Sequence, residues 1–256
     1  MKRYVVSVII PYFKKKEYII KTLNSIFNQT YKYFEVILIY DDKNLEDYYY
    51  IKKKFKHKKN LKIVLNNKNL GAGLSRNRGI KFSKAKYISF CDSDDLWKKN
   101  KLTYQIHFME KKNISLLHSS YDIIDKDDKK LGEYKIKKKI NYHTLIKSCD
   151  IGLSTVILKR KLLKNIKFSN MRTKEDYLVW LKLLKKEKFI YGTKKVLASW
   201  RKTDGSLSSF FFQKVKDAYF MYNSKLEYNF FSSIYYVIRL SYYALLKKIK
   251  IFIKIY

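Results

Sequence analysis

The stretch VVSVII, Val5 to Ile10, is a β-branched run uninterrupted by any charge. A strand that reads this way is buried on both faces, and such strands belong to parallel sheets covered by helices on either side. The next eighty residues keep to that rule. Glu17 to Asn28 places Ile20, Leu23 and Phe27 on one helical face, and Phe34 to Tyr40 is a second apolar strand. Leu45 to Phe55 reads as a helix and Leu61 to Leu65 as a third strand; a helix runs from Gly71 and Gly73 to about Ser83, and a strand from Tyr87 to Cys91. Strand and helix alternate, as in a doubly wound α/β sheet. Ligands of such sheets bind beyond the carboxyl ends of the strands. Those ends carry Asp41 and Asp42 in one place and Asp92, Asp94 and Asp95 in another.

The acids stand out because the chain has 57 Lys and Arg against 22 Asp and Glu, a formal charge of +35 over 256 residues. So basic a balance invites a phosphate-backbone partner. Only 7 of the basic residues are Arg, however, and Lys is spread along almost every segment, as in a compositional bias. Nucleic acid is therefore disfavoured as a partner, and an anionic membrane surface is retained. Hydrophobic residues at 46% and charged residues at 31% exclude a disordered chain, and the length suits one large α/β domain with an appendage. Cys91 and Cys149 form neither a metal-ligand spacing nor a disulfide framework, which points to a reducing, cytoplasmic compartment. No signal peptide and no apolar run of membrane-spanning length is read from the sequence.

Beyond residue 112 the pattern is less regular. Lys99 to Lys111 reads helical, Ser115 to Ile124 extended, Lys126 to Lys139 as a charged excursion, and Thr155 to Leu158 as a short strand. Glu175 to Lys186 is a helix with Leu178, Leu181 and Leu184 facing inward, and Val196 to Trp200 is another strand. Near the end Phe231, Tyr235, Ile238, Tyr242, Leu245, Ile249, Phe252 and Tyr256 recur at steps of four and three, with Lys247, Lys250 and Lys254 on another face. That is a basic amphipathic helix, able to lie on a membrane, to pack on its own domain or to pair with a second copy as a homo-oligomer.

Carboxylates clustered at a strand end can hold Mg²⁺ or Mn²⁺, which in turn binds a diphosphate. A calcium loop starting at Asp92 fails, because its sixth position is Trp97 and its twelfth Thr103. A phosphohydrolase with a D-x-D nucleophile stays open although Leu96 stands where that motif carries a hydroxyl, and so does a solvated turn capping the next helix.

Taken in order, VSVIIPYFKKKEY (6 to 18), SIFNQTY (25 to 31), FEVILIYDD (34 to 42), NLGAGLSRNRGI (69 to 80), YISFCDSDDLW (87 to 97) and TKEDYLVWLKLL (173 to 184) resemble the family 2 glycosyltransferases of bacterial surface-glycan type. The resemblance covers about residues 4 to 209 and implies a GT-A fold, a mostly parallel sheet flanked by helices. It implies a glycosyltransferase domain over 1–210, with a nucleotide-sugar half at 1–112 and an acceptor and catalytic half at 113–210, and a basic helical extension over 211–256. It implies a metal-dependent, inverting transfer of a sugar from a nucleotide donor, UDP-linked by expectation, to a hydroxyl of a glycan or lipid-linked acceptor. Its product would be a lipooligosaccharide or another surface polysaccharide, made by a cytoplasmic protein held peripherally at the inner membrane.

Roles are implied position by position by the same resemblance. Pro11 and Tyr12 would lie beneath the nucleotide base and Asp41 would hydrogen-bond it; Arg76 would set a fixed charge near the nucleotide. Asp92-Ser93-Asp94 would be the D-x-D, with Asp94 on the Mn²⁺ or Mg²⁺ ion and Asp92 on the metal or the ribose, supported by Asp95. Asp176 would be the general base, with Glu175 beside it. SWRKTDGSLS (199 to 208) would close over the diphosphate, with Arg201 or Lys202 stabilising it, although Thr203 stands where many relatives carry His. KNLEDY after Asp42 is a second departure, where relatives continue with Gly-Ser. Gly152 to Thr155 would lie on the acceptor side. The alternatives kept are the D-x-D phosphohydrolase and a non-catalytic, Lys-rich binder of nucleic acid or anionic membrane.

Overall fold

A computed structural model of the protein describes residues 4–203 and 211–253. The first half alternates as its hydrophobic runs dictate: β1 (Val6–Tyr12), α1 (Lys16–Phe27), β2 (Phe34–Tyr40), α2 (Glu46–Lys54), β3 (Leu61–Leu65), α3 (Ala72–Phe82) and β4 (Tyr87–Phe90). Next come β5 (Leu96–Trp97), α4 (Lys101–Lys111), β6 (Leu116–Ile124), β7 (Lys130–Tyr134), β8 (Lys139–Ile140), α5 (Tyr142–Leu145) and β9 (Ile157–Lys159). The chain ends with α6 (Glu175–Leu184), β10 (Ile190–Arg201), α7 (Phe211–Phe220), a π turn at Met221–Lys225, and α8 (Phe230–Ile253).

All the strands join one sheet in the order β3-β2-β1-β4-β9-β6-β10-β5, with β7 on β6 and β8 on β10. The pairs β3/β2, β2/β1 and β1/β4 are parallel. Strand β9 is antiparallel to both β4 and β6, so β6 and its parallel partner β10 run in the direction of β4 again. This double reversal brings the carboxyl ends of β1, β2, β4, β6 and β10 to one edge. The acids at Asp41 and Asp92 to Asp95 therefore share that edge with Arg201, the last residue of β10. The α/β architecture expected from the sequence is the one observed.

Packing adjusts several expected faces. In α1 the buried stripe is Tyr18, Ile19, Leu23 and Ile26, one residue from the Ile20 and Phe27 line, because the helix rolls to seat Thr22 under the 92–95 turn. Helix α6 buries not one face but nearly its whole circumference, Tyr177 to Leu181 together with Leu183 and Leu184. A helix apolar all round must be covered on both sides, and here the sheet residues Ile88 and Phe90 and the C-terminal Tyr222, Val237 and Leu240 join it in one core. Trp180, read as core or acceptor wall, is core, fully buried against Phe90. Gly79 is required by α3: a Cβ there would sit 2.4 Å from the Ile9 Cγ2 of β1, so the helix could not lie this close to the central strand.

The charged stretch 126 to 139 is a further adjustment, since it supplies the strands β7 and β8. Both lie off the main strand path, and Lys130 of β7 reaches Asp122 of β6 at 2.6 Å. Edge strands carry charge of this kind without losing their backbone pairing. His118 is packed and fully buried, and burial pulls its imidazole down to about 4.

Helix α8 buries Ser233, Val237 and Leu240. The stripe singled out in the sequence faces the other way: Phe231 is 81% exposed and Ile238 64%, and Tyr235, Tyr242 and Leu245 are exposed with them. The helix thus packs on its domain by one face and leaves the apolar stripe open. Ile249, Phe252 and Tyr256, with Lys247, Lys250 and Lys254, lie outside the side chains described. Among the described residues no helix is long and apolar enough to cross a membrane.

Candidate active site

The turn after β4 is held from every side. Asp92 N donates to Ser154 Oγ at 3.0 Å, Thr22 Oγ1 donates to Ser93 O at 3.0 Å, and Asp95 N returns to Asp92 O at 3.2 Å. Asp95 is buried and anchors the turn below: its Oδ2 accepts Ser154 Oγ at 2.5 Å and its Oδ1 accepts Arg201 N at 2.9 Å. Helix α4 begins six residues later behind Asn100, so Asp95 braces the turn and does not cap a helix. Burial raises the Asp95 carboxyl well above the usual range, with Asp94 and Asp92 adding to it.

Arg201 braces the same turn. Its Nε donates to Asp94 O at 2.8 Å, Nη1 to Asp125 O at 2.8 Å, and Nη2 to Asp128 Oδ1 at 2.5 Å, while the guanidinium stacks 4.6 Å over Tyr18. Every nitrogen is committed inside the protein, so the cation sits beneath the turn rather than over a ligand. Lys202, the next residue, is exposed, and residues 204 to 208 of the expected closing segment lie outside the described residues.

Arg76 is the hub of the site. It is buried in α3, where its Nη2 lies 2.7 Å from Asp92 Oδ1 and its Nη1 2.6 Å from Glu175 Oε1. Burial opposes its charge, yet Asp92, Glu175 and Asp176 outweigh that and raise the guanidinium above its ordinary pKa. Glu175 and Asp176 open α6 directly after Lys174, which lies in the left-handed region at φ 67°. That conformation is uncommon for a residue other than Gly, Asn or Asp and marks a constrained position. Burial pushes Glu175 up to about 7 against the pull of Arg76. Burial also raises Asp176, whose Oδ1 accepts Tyr177 N at 2.7 Å.

The base-side residues are more enclosed than their sequence positions suggest. Pro11 and Tyr12 are buried; Tyr12 stacks on Tyr40 at a centroid distance of 5.0 Å and donates to Asp47 Oδ2 at 2.5 Å. Asp41 is buried too, and accepts Asn66 Nδ2 at 2.6 Å, Leu70 N at 2.8 Å and Gly71 N at 2.8 Å. It thereby fixes the loop into α3, where Gly71 takes φ 80°.

Asp92 and Asp94 offer hard oxygen donors at the open side of the turn, with side chains 37% and 18% exposed. Burial and the neighbouring Asp92 raise Asp94 despite Lys15, whose Nζ lies 3.0 Å from Asp94 Oδ2. Each carboxylate keeps an oxygen beyond its one ion pair, a hard donor of the kind a dication takes. Among the described residues no group of three His, Cys, Asp or Glu side chains is placed to hold a metal. A Mg²⁺ or Mn²⁺ ion held by Asp92 and Asp94 would take its remaining oxygens from waters and substrate phosphates.

A cleft of about 410 Å³ leads away from these acids. Asp92, Asp95, Lys174 and Asp176 line it together with Ser148, Gly152 and Ser154 and with the apolar side chains of Trp200, Leu240 and Ala244. Sequence reasoning gives Lys15 and Lys174 no role, and reads Trp200 only within the segment 199 to 208 expected to close over the diphosphate. Ser154 falls within a stretch expected on the acceptor side, while Lys15 and Lys174 carry no signal among so many lysines.

Comparison with known proteins identifies the family. The family model described as "Glycosyl transferase family 2" matches residues 7–167. The chain is similar to the Escherichia coli UDP-Glc:alpha-D-GlcNAc-diphosphoundecaprenol beta-1,3-glucosyltransferase WfaP, 39% identical over 204 residues, covering 80% of each chain. It is similar to WfgD, an E. coli enzyme of the same description, 33% identical over 239 residues, covering 93% of this chain and 92% of that one. Among solved structures, S. aureus TarS 1-349 in complex with UDP-GlcNAc superposes with a TM-score of 0.73 at 23% identity, covering 88% of this chain and 67% of that one. The mannosyltransferase PcManGT from Pyrobaculum calidifontis, in complex with GDP-Man and Mn²⁺, superposes with a TM-score of 0.68 at 13% identity, covering 89% of this chain and 65% of that one. These likenesses leave no place for the phosphohydrolase or for a binder without catalysis. The chain belongs to glycosyl transferase family 2 and is a glycosyltransferase.

Proposed function

We propose that the protein is an inverting glycosyltransferase that moves a sugar from a UDP donor to a hydroxyl of a lipid-linked acceptor in bacterial surface-glycan synthesis. The observation that carries the reading is the Arg76 bridge, which holds Asp92 of the D-x-D and Glu175, the neighbour of Asp176, at one cleft mouth. The relatives WfaP and WfgD are described as using UDP-Glc and a diphosphoundecaprenol-linked sugar, which supports this donor and acceptor class.

In this reading Asp176 Oδ accepts the proton of the acceptor hydroxyl as its oxygen bonds to the anomeric carbon and the bond to the diphosphate oxygen breaks on the opposite face. One such displacement inverts the anomeric centre and forms no covalent enzyme intermediate. Burial raises Asp176 and makes it a stronger base than a solvated carboxylate. Asp94 and Asp92 would hold a Mn²⁺ or Mg²⁺ ion, which when bound neutralises charge on the leaving diphosphate. Lys15 supplies a cation next to Asp94 on the same side. Asp41 keeps its part in the base subsite by fixing the 66–71 loop, with Pro11 and Tyr12 as the wall behind it and Ser93 in the turn that faces the ribose.

The exposed stripe of α8 would rest on the anionic inner face of the membrane, holding the protein peripherally on the cytoplasmic side. UDP with Mn²⁺ should raise Tm in this protein, and a UDP-sugar should be turned over only with metal present. No stabilisation by any nucleoside diphosphate would sink the reading.

A further inference from the structure

The cleft that Asp176 lines carries two unlike kinds of surface. Its one cation is Lys174, whose charge acts on Asp176 but whose ammonium makes no hydrogen bond or close ion pair among the described residues. Its backbone is held at φ 67° immediately before the Glu175-Asp176 pair, so the lysine is fixed at the cleft wall and not carried on a free loop. The other kind is apolar. Trp200, 39% exposed, lies beside Tyr121 and Ile123 of the neighbouring strand β6, and Leu240 and Ala244 of α8 line the same cleft.

A free sugar asks for hydrogen-bond partners around its whole ring, and an apolar wall does not supply them. An acceptor with an anionic group near the sugar and an apolar chain beyond it matches both kinds of surface. Ala244, itself exposed, lines the cleft, and the neighbouring Leu245, Tyr242 and Ile238 begin the open stripe of the same helix. A chain leaving the cleft past Ala244 stays on apolar surface.

Resting on the glycosyltransferase reading above, we propose that α8 completes the acceptor subsite: Lys174 meets a phosphate attached to the acceptor sugar, and Trp200, Leu240 and Ala244 receive the first part of its lipid chain. The helix is then part of the substrate site as well as an attachment surface.

The test compares two acceptors with the same long alkyl chain, GlcNAc joined through a diphosphate and GlcNAc joined as a simple glycoside, together with GlcNAc diphosphate on a methyl group. Lys174→Asn keeps a residue that tolerates the left-handed backbone while removing the charge. It should raise KM for the alkyl diphosphate acceptor about tenfold, the scale of one charge-assisted contact, and leave KM for the alkyl glycoside unchanged. Ala244→Trp should raise KM for the long-chain diphosphate about tenfold by filling the cleft there, and leave the methyl diphosphate unaffected. The rise in Tm given by UDP with Mn²⁺ should be the same in both variants as in the parent protein. Equal KM changes for all three acceptors, or no change in either variant, would overturn the inference while the function stands. A parent protein that neither binds UDP nor transfers to any acceptor would overturn both.

Discussion

The two sides of the site are built on opposite plans. On the donor side Asp41, Arg76, Asp95 and Arg201 are all buried, and each is matched by partners at hydrogen-bond distance. On the proposed acceptor side the Lys174 ammonium makes no hydrogen bond or close ion pair among the described residues, its charge acting on Asp176, and Trp200 is half open. In the proposed reading, the difference reflects what each side must do. A diphosphate of fixed shape and charge is held best by groups that do not move, because each charge-assisted contact loses strength with misplacement. An acceptor that arrives tethered to a lipid needs an open approach and an apolar path, which a closed network would block.

The contrast breaks most sharply at Asp176. Its replacement by Asn should lower kcat about 10³-fold while UDP binding, read by thermal shift, is retained. Retained turnover would remove Asp176 as the base. Next in size is Arg76→Met, which strands Glu175 and Asp92 at the wall of the site. Loss of one partner in a buried pair should cost about 3 kcal/mol of stability, read by urea denaturation. If Arg76→Met costs no more than a solvent-exposed change, the donor side is not held together as described.

Lys101 gives a pH test of how strictly the donor side is closed. Its ammonium is buried behind Trp97, 4.1 Å from the ring centroid, and donates to Gln105 Oε1 at 2.7 Å. Burial lowers it to about 7, below the ordinary lysine value of 10.5 that it regains on unfolding. Between those two pH values the unfolded chain binds the extra proton, so this residue makes stability rise as pH increases from about 7 to about 10.5. Lys101→Met should therefore gain Tm over the parent near pH 7 and lose that advantage by about pH 10.5. A difference independent of pH would mean the lysine is solvated. The smallest effect on stability belongs to the outer face of α8. The pair Phe231→Ser and Ile238→Ser should change stability by no more than about 0.5 kcal/mol, yet weaken sedimentation with vesicles rich in anionic lipid. Unchanged sedimentation, or a switch from dimer to monomer in its place, would assign the stripe to a second copy.

Much of the donor side was legible because carboxylates are scarce here and fall at strand ends, where periodicity alone locates Asp41 and the 92–95 turn. Glu175 and Asp176 were legible only through their company. What could not be read was the direction of a cation: Arg201 comes after an aromatic residue at a strand end just as a phosphate-binding arginine would, and only its four acceptors show that it faces inward. Lys15 and Lys174 were hidden by composition, since a lysine in a lysine-rich chain has no contrast. The strands β7 and β8 were hidden because edge pairing is a backbone matter that tolerates charged side chains.

The Arg76 bridge spans 99 positions of chain to Glu175 and only 16 to Asp92. During synthesis, α3 and its aspartate turn are therefore complete long before the glutamate exists, and domains fold as the chain emerges. Until α6 arrives, the nascent half carries a guanidinium with one of its two carboxylates missing. Docking of α6 then has an electrostatic part: it brings the anion that the waiting arginine requires, before the C-terminal helices cover its outer side.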